Sequence, residues 1–160
     1  MRPGDIVLDY GCATGADVLS LAEKVGSDGK IVAIDISIKQ LERSVKKAKS
    51  LPGHPNVVFV KEEKELMPFD GATFDRIISV GVLSYQDDPG ELLKEFRRVL
   101  RNGGRLSILD FGRALFVPKA KYLKSTESIK KAFNSAGFKE ISVEKASSFS
   151  AEYYYITAVK

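Results

Sequence analysis

Two hydrophobic periods alternate along this chain. Short contiguous apolar runs are followed by stretches in which apolar side chains recur every three or four positions. The first run, Ile6-Val7-Leu8, leads through Gly11 and Gly15 to a helical pattern at Val18, Leu21, Ala22 and Val25. Ile31 to Ile36 is a second apolar run, broken only by Asp35. Ser37 to Gln40 then reads as a capping box opening a helix with Leu41, Val45 and Ala48 on one face, which Pro52-Gly53-His54-Pro55 stops. Val57–Val60 and Phe74–Val80 are the third and fourth strands. Asp88-Pro89-Gly90-Glu91 combines a cap acceptor, a first-turn proline and an acidic first turn. It predicts a helix burying Leu92, Leu93, Phe96, Val99 and Leu100 and ending at Asn102-Gly103-Gly104. Arg105–Phe111 is the fifth strand. A last helix is predicted from about Glu127 to Gly137, with Ile129, Ala132, Phe133 and Ala136 inward, before two β-rich runs, Phe138–Val143 and Tyr153–Val159.

Apolar strands joined by amphipathic helices predict an α/β fold, a doubly wound parallel sheet covered on both faces. Only a loop separates the last two runs, too short for a crossover, so they must pair antiparallel. At 160 residues with 44% hydrophobic side chains, the chain fits a single domain, 1–160, with one core. One cysteine, Cys12, permits no intrachain disulfide and agrees with a reducing compartment. No apolar run approaches the roughly 18 to 20 residues that span a bilayer, so a cytoplasmic protein with no membrane partner is expected. The net charge of +4 is dispersed. The clusters Lys46/Lys47/Lys49, Arg97/Arg98/Arg101 and Lys119/Lys121/Lys124 read as solvated faces, since no aromatics are interleaved with the helical clusters as stacking platforms.

In open α/β sheets ligands lie beyond the carboxyl ends of the strands, where the winding reverses. Asp9 to Gly15, Asp35, Glu62 to Lys64, Ser79 to Tyr85 and Asp110 to Gly112 meet there. The loop Gly11-Cys12-Ala13-Thr14-Gly15 is built of small residues that let backbone approach a ligand closely. Asp35 closes the second strand, where a carboxylate can accept from both hydroxyls of a ribose; its alternative role is to cap a helix, for which Ser37 is already present. A dinucleotide fingerprint would need glycines at 11, 13 and 16, and the chain has Gly11, Ala13 and Ala16. Losing the middle glycine is awkward for a pyrophosphate, and little chain remains for a second substrate.

The run Asp5 to Gly15, then Asp35, then Met67-Pro68-Phe69 leading to Phe74-Asp75, resembles the class I S-adenosylmethionine-dependent methyltransferases, most closely those of quinone biosynthesis and related small-molecule methylation. The likeness covers about Pro3 to Gly112. It implies the sheet order 3-2-1-4-5-7-6 in a Rossmann-like fold, with S-adenosylmethionine as cofactor. It implies that Gly11, Cys12, Ala13 and Gly15 line the methionine and ribose, with Asp9 orienting either the loop or the methionine ammonium. Asp35 would take the ribose hydroxyls and Ile36 would lie against the adenine. Glu63 would accept from the adenine amino group, the backbone of Lys64 would meet a ring nitrogen, and Ser79 would stand beside the methionine moiety. The family's usual helices ahead of the first strand, which help roof the substrate pocket, have no counterpart in these 160 residues. A homodimer or a partner subunit would then complete that pocket.

Methyl transfer from a sulfonium is an in-line displacement, and orienting the acceptor can supply about 7 to 11 kcal/mol. A general base is needed only when the acceptor arrives protonated. Tyr85 and Asp110 are the candidates to touch the acceptor. Tyr85 could instead cover the pocket and Asp110 bind backbone. Cys12 lies near a helix start, which favours a thiolate, but no histidine partners it. The one histidine, His54, falls at the far end of the sheet, and one cysteine with one histidine leaves no metal site. A small-molecule acceptor is therefore expected. The alternatives are a nucleic-acid methyltransferase, disfavoured because Ser79-Val80-Gly81-Val82 lacks an Asn-Pro-Pro-Tyr type motif, and a non-catalytic cofactor-binding scaffold.

Overall fold

The computed structural model of the chain describes residues 1–49, 56–62, 66–86, 88–114, 125–148 and 151–160. His54, Glu63, Lys64 and the Lys119/Lys121/Lys124 cluster lie outside the described residues. Strands β1 (Ile6–Tyr10), β2 (Lys30–Asp35), β3 (Val57–Lys61), β4 (Phe74–Val80), β5 (Leu100–Ala114), β6 (Lys139–Ser147) and β7 (Ala151–Val159) form one sheet in the order β3-β2-β1-β4-β5-β7-β6. The first five run parallel, and β7 runs antiparallel between β5 and β6. The reversal of winding between β1 and β4 sets the carboxyl ends of both beside one another, as the expected order requires.

Helices α1 (Val18–Val25), α2 (Ile38–Lys49), α3 (Gly90–Val99) and α4 (Thr126–Ser135) follow the expected segments. Helix α1 buries the four apolar residues its period marked, Val18, Leu21, Ala22 and Val25. Helix α2 departs from expectation: Leu41 and Ser44 are its buried residues, while Val45 and Ala48 are only half-buried. Ser44 turns inward because it packs on Gly15, which has no side chain to fill the gap. At the start of α3, Pro89 takes the cap position and Asp88 acts one residue further out, its Oδ1 accepting from the Gly90 N–H at 2.8 Å. The helix ends at Val99, and Asn102-Gly103-Gly104 belongs to β5 rather than to a helix exit. Gly103 there has a left-handed φ of 75°, and β5 is irregular between its pairings to Phe74 and Arg76.

Two apolar clusters cover the two faces. The larger, on the α3 and α4 side, gathers Leu8, Ile34, Ile77, Leu106, Ile108 and Ile156 with Phe96 and Phe133, and takes in Ile141 and Val143 of the far edge strand. The smaller, on the α1 and α2 side, gathers Val7, Ile31 and Ala33 with both helices and reaches no further than Ile78 of β4. Helices lie on both faces of the sheet, as expected, but among the described residues those on the α1 side reach no further than β4. Beyond them Val80, Leu109 and Tyr155 are 41%, 38% and 46% exposed.

Candidate active site

The loop after β1 turns back on itself at two glycines. Gly11 and Gly15 have φ of 77° and 69°, a region closed to most side chains. A Cβ on Gly11 would overlap Val82, and one on Gly15 would overlap Ser44. Ala13 also has a positive φ, 45°, a conformation costing an L-residue about 1 to 2 kcal/mol. Main-chain bonds fix this bend. The N–H groups of Gly11 and Cys12 both donate to the Ile34 carbonyl, at 2.9 and 3.0 Å, and Gly15 N–H donates to the Cys12 carbonyl at 2.8 Å.

Asp35 joins the bend to the next crossover. Its Oδ2 accepts from the Ala13 N–H at 2.9 Å and its Oδ1 from the Ser37 N–H at 2.8 Å. Asp35 thus orders the entry to α2, the capping role weighed from sequence, and at the same time holds the loop. Each carboxylate oxygen has two lone pairs, so both can still accept from hydroxyls. Ser37 is the weaker cap, accepting from Gln40 N–H at 3.4 Å.

Asp9 is buried on the α1 side, and among the described residues nothing donates to its carboxylate. Burial, with the charges of Asp17 and Asp35 nearby, pushes its pKa up to about 7. Burial also pushes the Cys12 thiol up to about 12, opposite to what a nearby helix start would do, and leaves it no nucleophile.

Beside Asp35 lies a cavity of about 780 Å³ lined by Tyr10, Ile36, Glu62, Leu66 and Leu92, among others. Ile36 is 73% exposed at its rim, a large apolar side chain left open. Tyr10 packs edge-on against Phe96, and its hydroxyl donates to Glu62 Oε1 at 2.7 Å. The Glu62 N–H donates to the Asp35 carbonyl at 3.0 Å, and burial raises the Glu62 pKa. Sequence reasoning placed Glu62 at this edge of the sheet but gave the adenine contact to Glu63, which lies outside the described residues. The partner of Glu62 is 52 residues away, and no local pattern signals that pairing.

The remaining expected residues separate. Ser79 pairs in register with Tyr10 and shares its face; its hydroxyl is fully buried and has no partner among the described residues. Tyr85 closes a 3-10 turn, Leu83–Tyr85, and is 65% exposed. Asp110 is wholly buried. Its oxygens accept from the N–H groups of Ser84, at 3.0 Å, and Phe111, at 2.8 Å, while burial raises its pKa. It thus ties the 3-10 turn to β5, the backbone role weighed against catalysis. That turn follows Val82, which rests on Gly11.

Part of one basic cluster is internal bracing. Arg98 pairs with buried Glu95 at 2.6 Å and donates to the Phe69 carbonyl at 2.8 Å, and Glu95 accepts from the Met67 N–H at 2.7 Å. Arg101 pairs with Asp75 at 2.7 Å, and Arg97 donates to the Gly137 carbonyl at 3.0 Å.

A family model described as a methyltransferase domain matches residues 2–156. The chain belongs to the methyltransferase domain family. It is 34% identical over 113 residues to the 2-phytyl-1,4-naphtoquinone methyltransferase of Trichormus variabilis, covering 70% of this chain and 49% of that protein. It is 34% identical over 122 residues to a ubiquinone/menaquinone biosynthesis C-methyltransferase of Escherichia coli, covering 76% of this chain and 48% of the relative. The domain thus spans about half the length of these two relatives. A crystal structure of a SAM-dependent methyltransferase from Aquifex aeolicus superimposes with a TM-score of 0.80 at 22% identity, covering 99% of this chain and 84% of that one, a likeness of fold.

Proposed function

We propose that this domain binds S-adenosylmethionine over the Gly11–Gly15 bend and transfers its methyl group to a small-molecule acceptor. The supporting observation is the junction of Asp35 with that bend through the Ala13 N–H at 2.9 Å, which sets a ribose-binding carboxylate beside a loop without side-chain bulk. When bound, the sulfonium supplies a methyl attached to a good leaving group. Asp35 would hold the ribose, Ile36 would lie under the adenine, and buried Asp9 would receive the methionine ammonium. The 780 Å³ cavity would give the adenine its room, with Glu62, held by Tyr10, at its edge, while Glu63 as acceptor from the adenine amino group and the Lys64 backbone as partner of a ring nitrogen stay the reading from sequence. The loop residues Gly11, Cys12, Ala13 and Gly15, and the main chain at Ser79, would line the methionine.

The acceptor approaches from the β4 and β5 side, where Tyr85 is exposed and the rings of Phe111 and Tyr153 lie 5.3 Å apart. That aromatic surface, with the quinone methyltransferases among the relatives, favours a flat, apolar ring as acceptor. Asp110 acts by holding the turn, and orientation rather than covalent catalysis carries the reaction. The ion pairs and carbonyl contacts of Arg97, Arg98 and Arg101 weigh against a phosphate-binding surface there. Among the described residues no helix is long and apolar enough to cross a membrane. A single buried thiol suits the cytoplasm, and the one continuous sheet supports a single domain over 1–160.

Calorimetry with S-adenosylmethionine and S-adenosylhomocysteine tests the reading. Micromolar-range binding is expected, weakened at least tenfold, about 1.4 kcal/mol, by Asp35→Ala. Absence of binding by the intact chain would refute it. Binding without turnover of a naphthoquinol or other phenolic acceptor would leave a cofactor-binding scaffold.

A further inference from the structure

The bare part of the α1 side has an ordered composition. In one row across the sheet, Val80 pairs with Leu109, Leu109 with Tyr155, and Tyr155 with Glu144. One row toward the other end, Ser107, Thr157 and Ser142 face the same way. One row further stand Arg105, Val159 and Lys139. The middle row is small and hydroxylic. Opposite charges, Glu144 and Lys139, stand on either side of it along β6. Among the described residues none of Arg105, Lys139 and Glu144 has an ion-pair partner within the chain. An apolar row left exposed beside unspent charges is characteristic of an interface.

We propose that a second copy of this chain covers this face, related by a half-turn about an axis lying along the Ser107–Thr157–Ser142 row. Such a half-turn sets each strand over its counterpart with direction reversed. It brings Glu144 of each copy opposite Lys139 of the other and Tyr155 opposite Val159. Leu109 meets the aliphatic stem of Arg105. The Glu144–Lys139 ion pair forms twice, as a two-fold interface requires. The small side chains at the axis allow the two sheets to approach to about 10 Å, the ordinary spacing of packed sheets. Charge complementarity of the face with itself thus selects the occupant. The second copy also walls the acceptor side beyond Phe111 and Tyr153. The proposal concerns assembly and does not depend on methyl transfer.

Sedimentation equilibrium of the full chain over the micromolar range tests it. A dimer is expected. Glu144→Lys and Lys139→Glu should each weaken it about tenfold or more, and the two together should restore it, because the exchanged charges again face one another. Tyr155→Glu should abolish it, while cofactor affinity measured on the same variant stays within twofold. Thermal melts of the variants check that each remains folded. A wild-type chain monomeric throughout that range would overturn the proposal, including the case in which the face accepts a helix from another chain. So would a double exchange no better than the single ones. Loss of S-adenosylmethionine binding with the dimer intact would refute the proposed function and leave the interface standing.

Discussion

The α1 side of the sheet is two surfaces. Over β1, β2 and β3, helices α1 and α2 close the face, and the bend after β1 is held by three main-chain bonds and one carboxylate. Over β5, β7 and β6 the described residues place no helix on that side, and Leu109 and Tyr155, with Val80 of β4 beside them, stand half in water. The first half is determined by backbone: glycines where a side chain would collide, an N–H for each oxygen of Asp35. The second half is determined by side chains and stands open among the described residues. A cofactor of constant shape suits the former, while acceptor and partner are matters for the latter.

The comparison is broken most severely at Gly15. Gly15→Val forces a branched side chain into a positive φ and against Ser44, and is expected to cost about 3 kcal/mol in chemical denaturation. On the border between the halves, Asp110→Ala leaves the buried N–H groups of Ser84 and Phe111 without partners. A loss of about 2 kcal/mol is expected by the same assay, with KM for the acceptor rising more than the cofactor dissociation constant. Asp35→Ala should lower cofactor affinity by about 1.4 kcal/mol or more, as stated above.

Asp9 sharpens the picture through pH. Its folded pKa stands near 7, above that of the unfolded chain. The protonated form therefore stabilises the empty fold at low pH, and that contribution fades as pH rises through 7. A cation bound beside it favours the carboxylate, so binding releases a proton. Affinity for S-adenosylmethionine should fall up to about tenfold between pH 8 and pH 6, and Asp9→Asn should flatten the profile. A profile unchanged by Asp9→Asn would remove Asp9 from the cofactor site. The smallest effect is expected at Tyr155→Ser, which should move cofactor affinity by less than about 0.5 kcal/mol because the residue lies on the open half.

Much of this arrangement was legible because its causes are local. Glycine pairs, capping signals and the change of hydrophobic period mark where β1, α1, β2 and α2 begin and end, and the motif run from Asp5 through Asp35 to Phe74 announces the family. Details that the local pattern does not announce depend on residues elsewhere in the chain. The inward turn of Ser44 depends on Gly15, 29 residues earlier, leaving no side chain beneath it. Glu62 is held by Tyr10 across the sheet, and Glu95 is buried only because Arg98 and the Met67 N–H meet it there. Asn102-Gly103-Gly104 carries the signal of a helix exit, yet β5 draws those residues into the sheet.

The amino-acid sequence by itself determined the α/β class and the strand succession, and it marked the residues proposed for the cofactor, because periodicity and backbone sterics act over a few residues. Tertiary structure alone decided that Asp35 both holds the bend and orders α2, that Asp110 is a buried tie, and that the described helices leave half of one face open. Those outcomes depend on which strands become neighbours, and on what each side chain meets from distant parts of the chain.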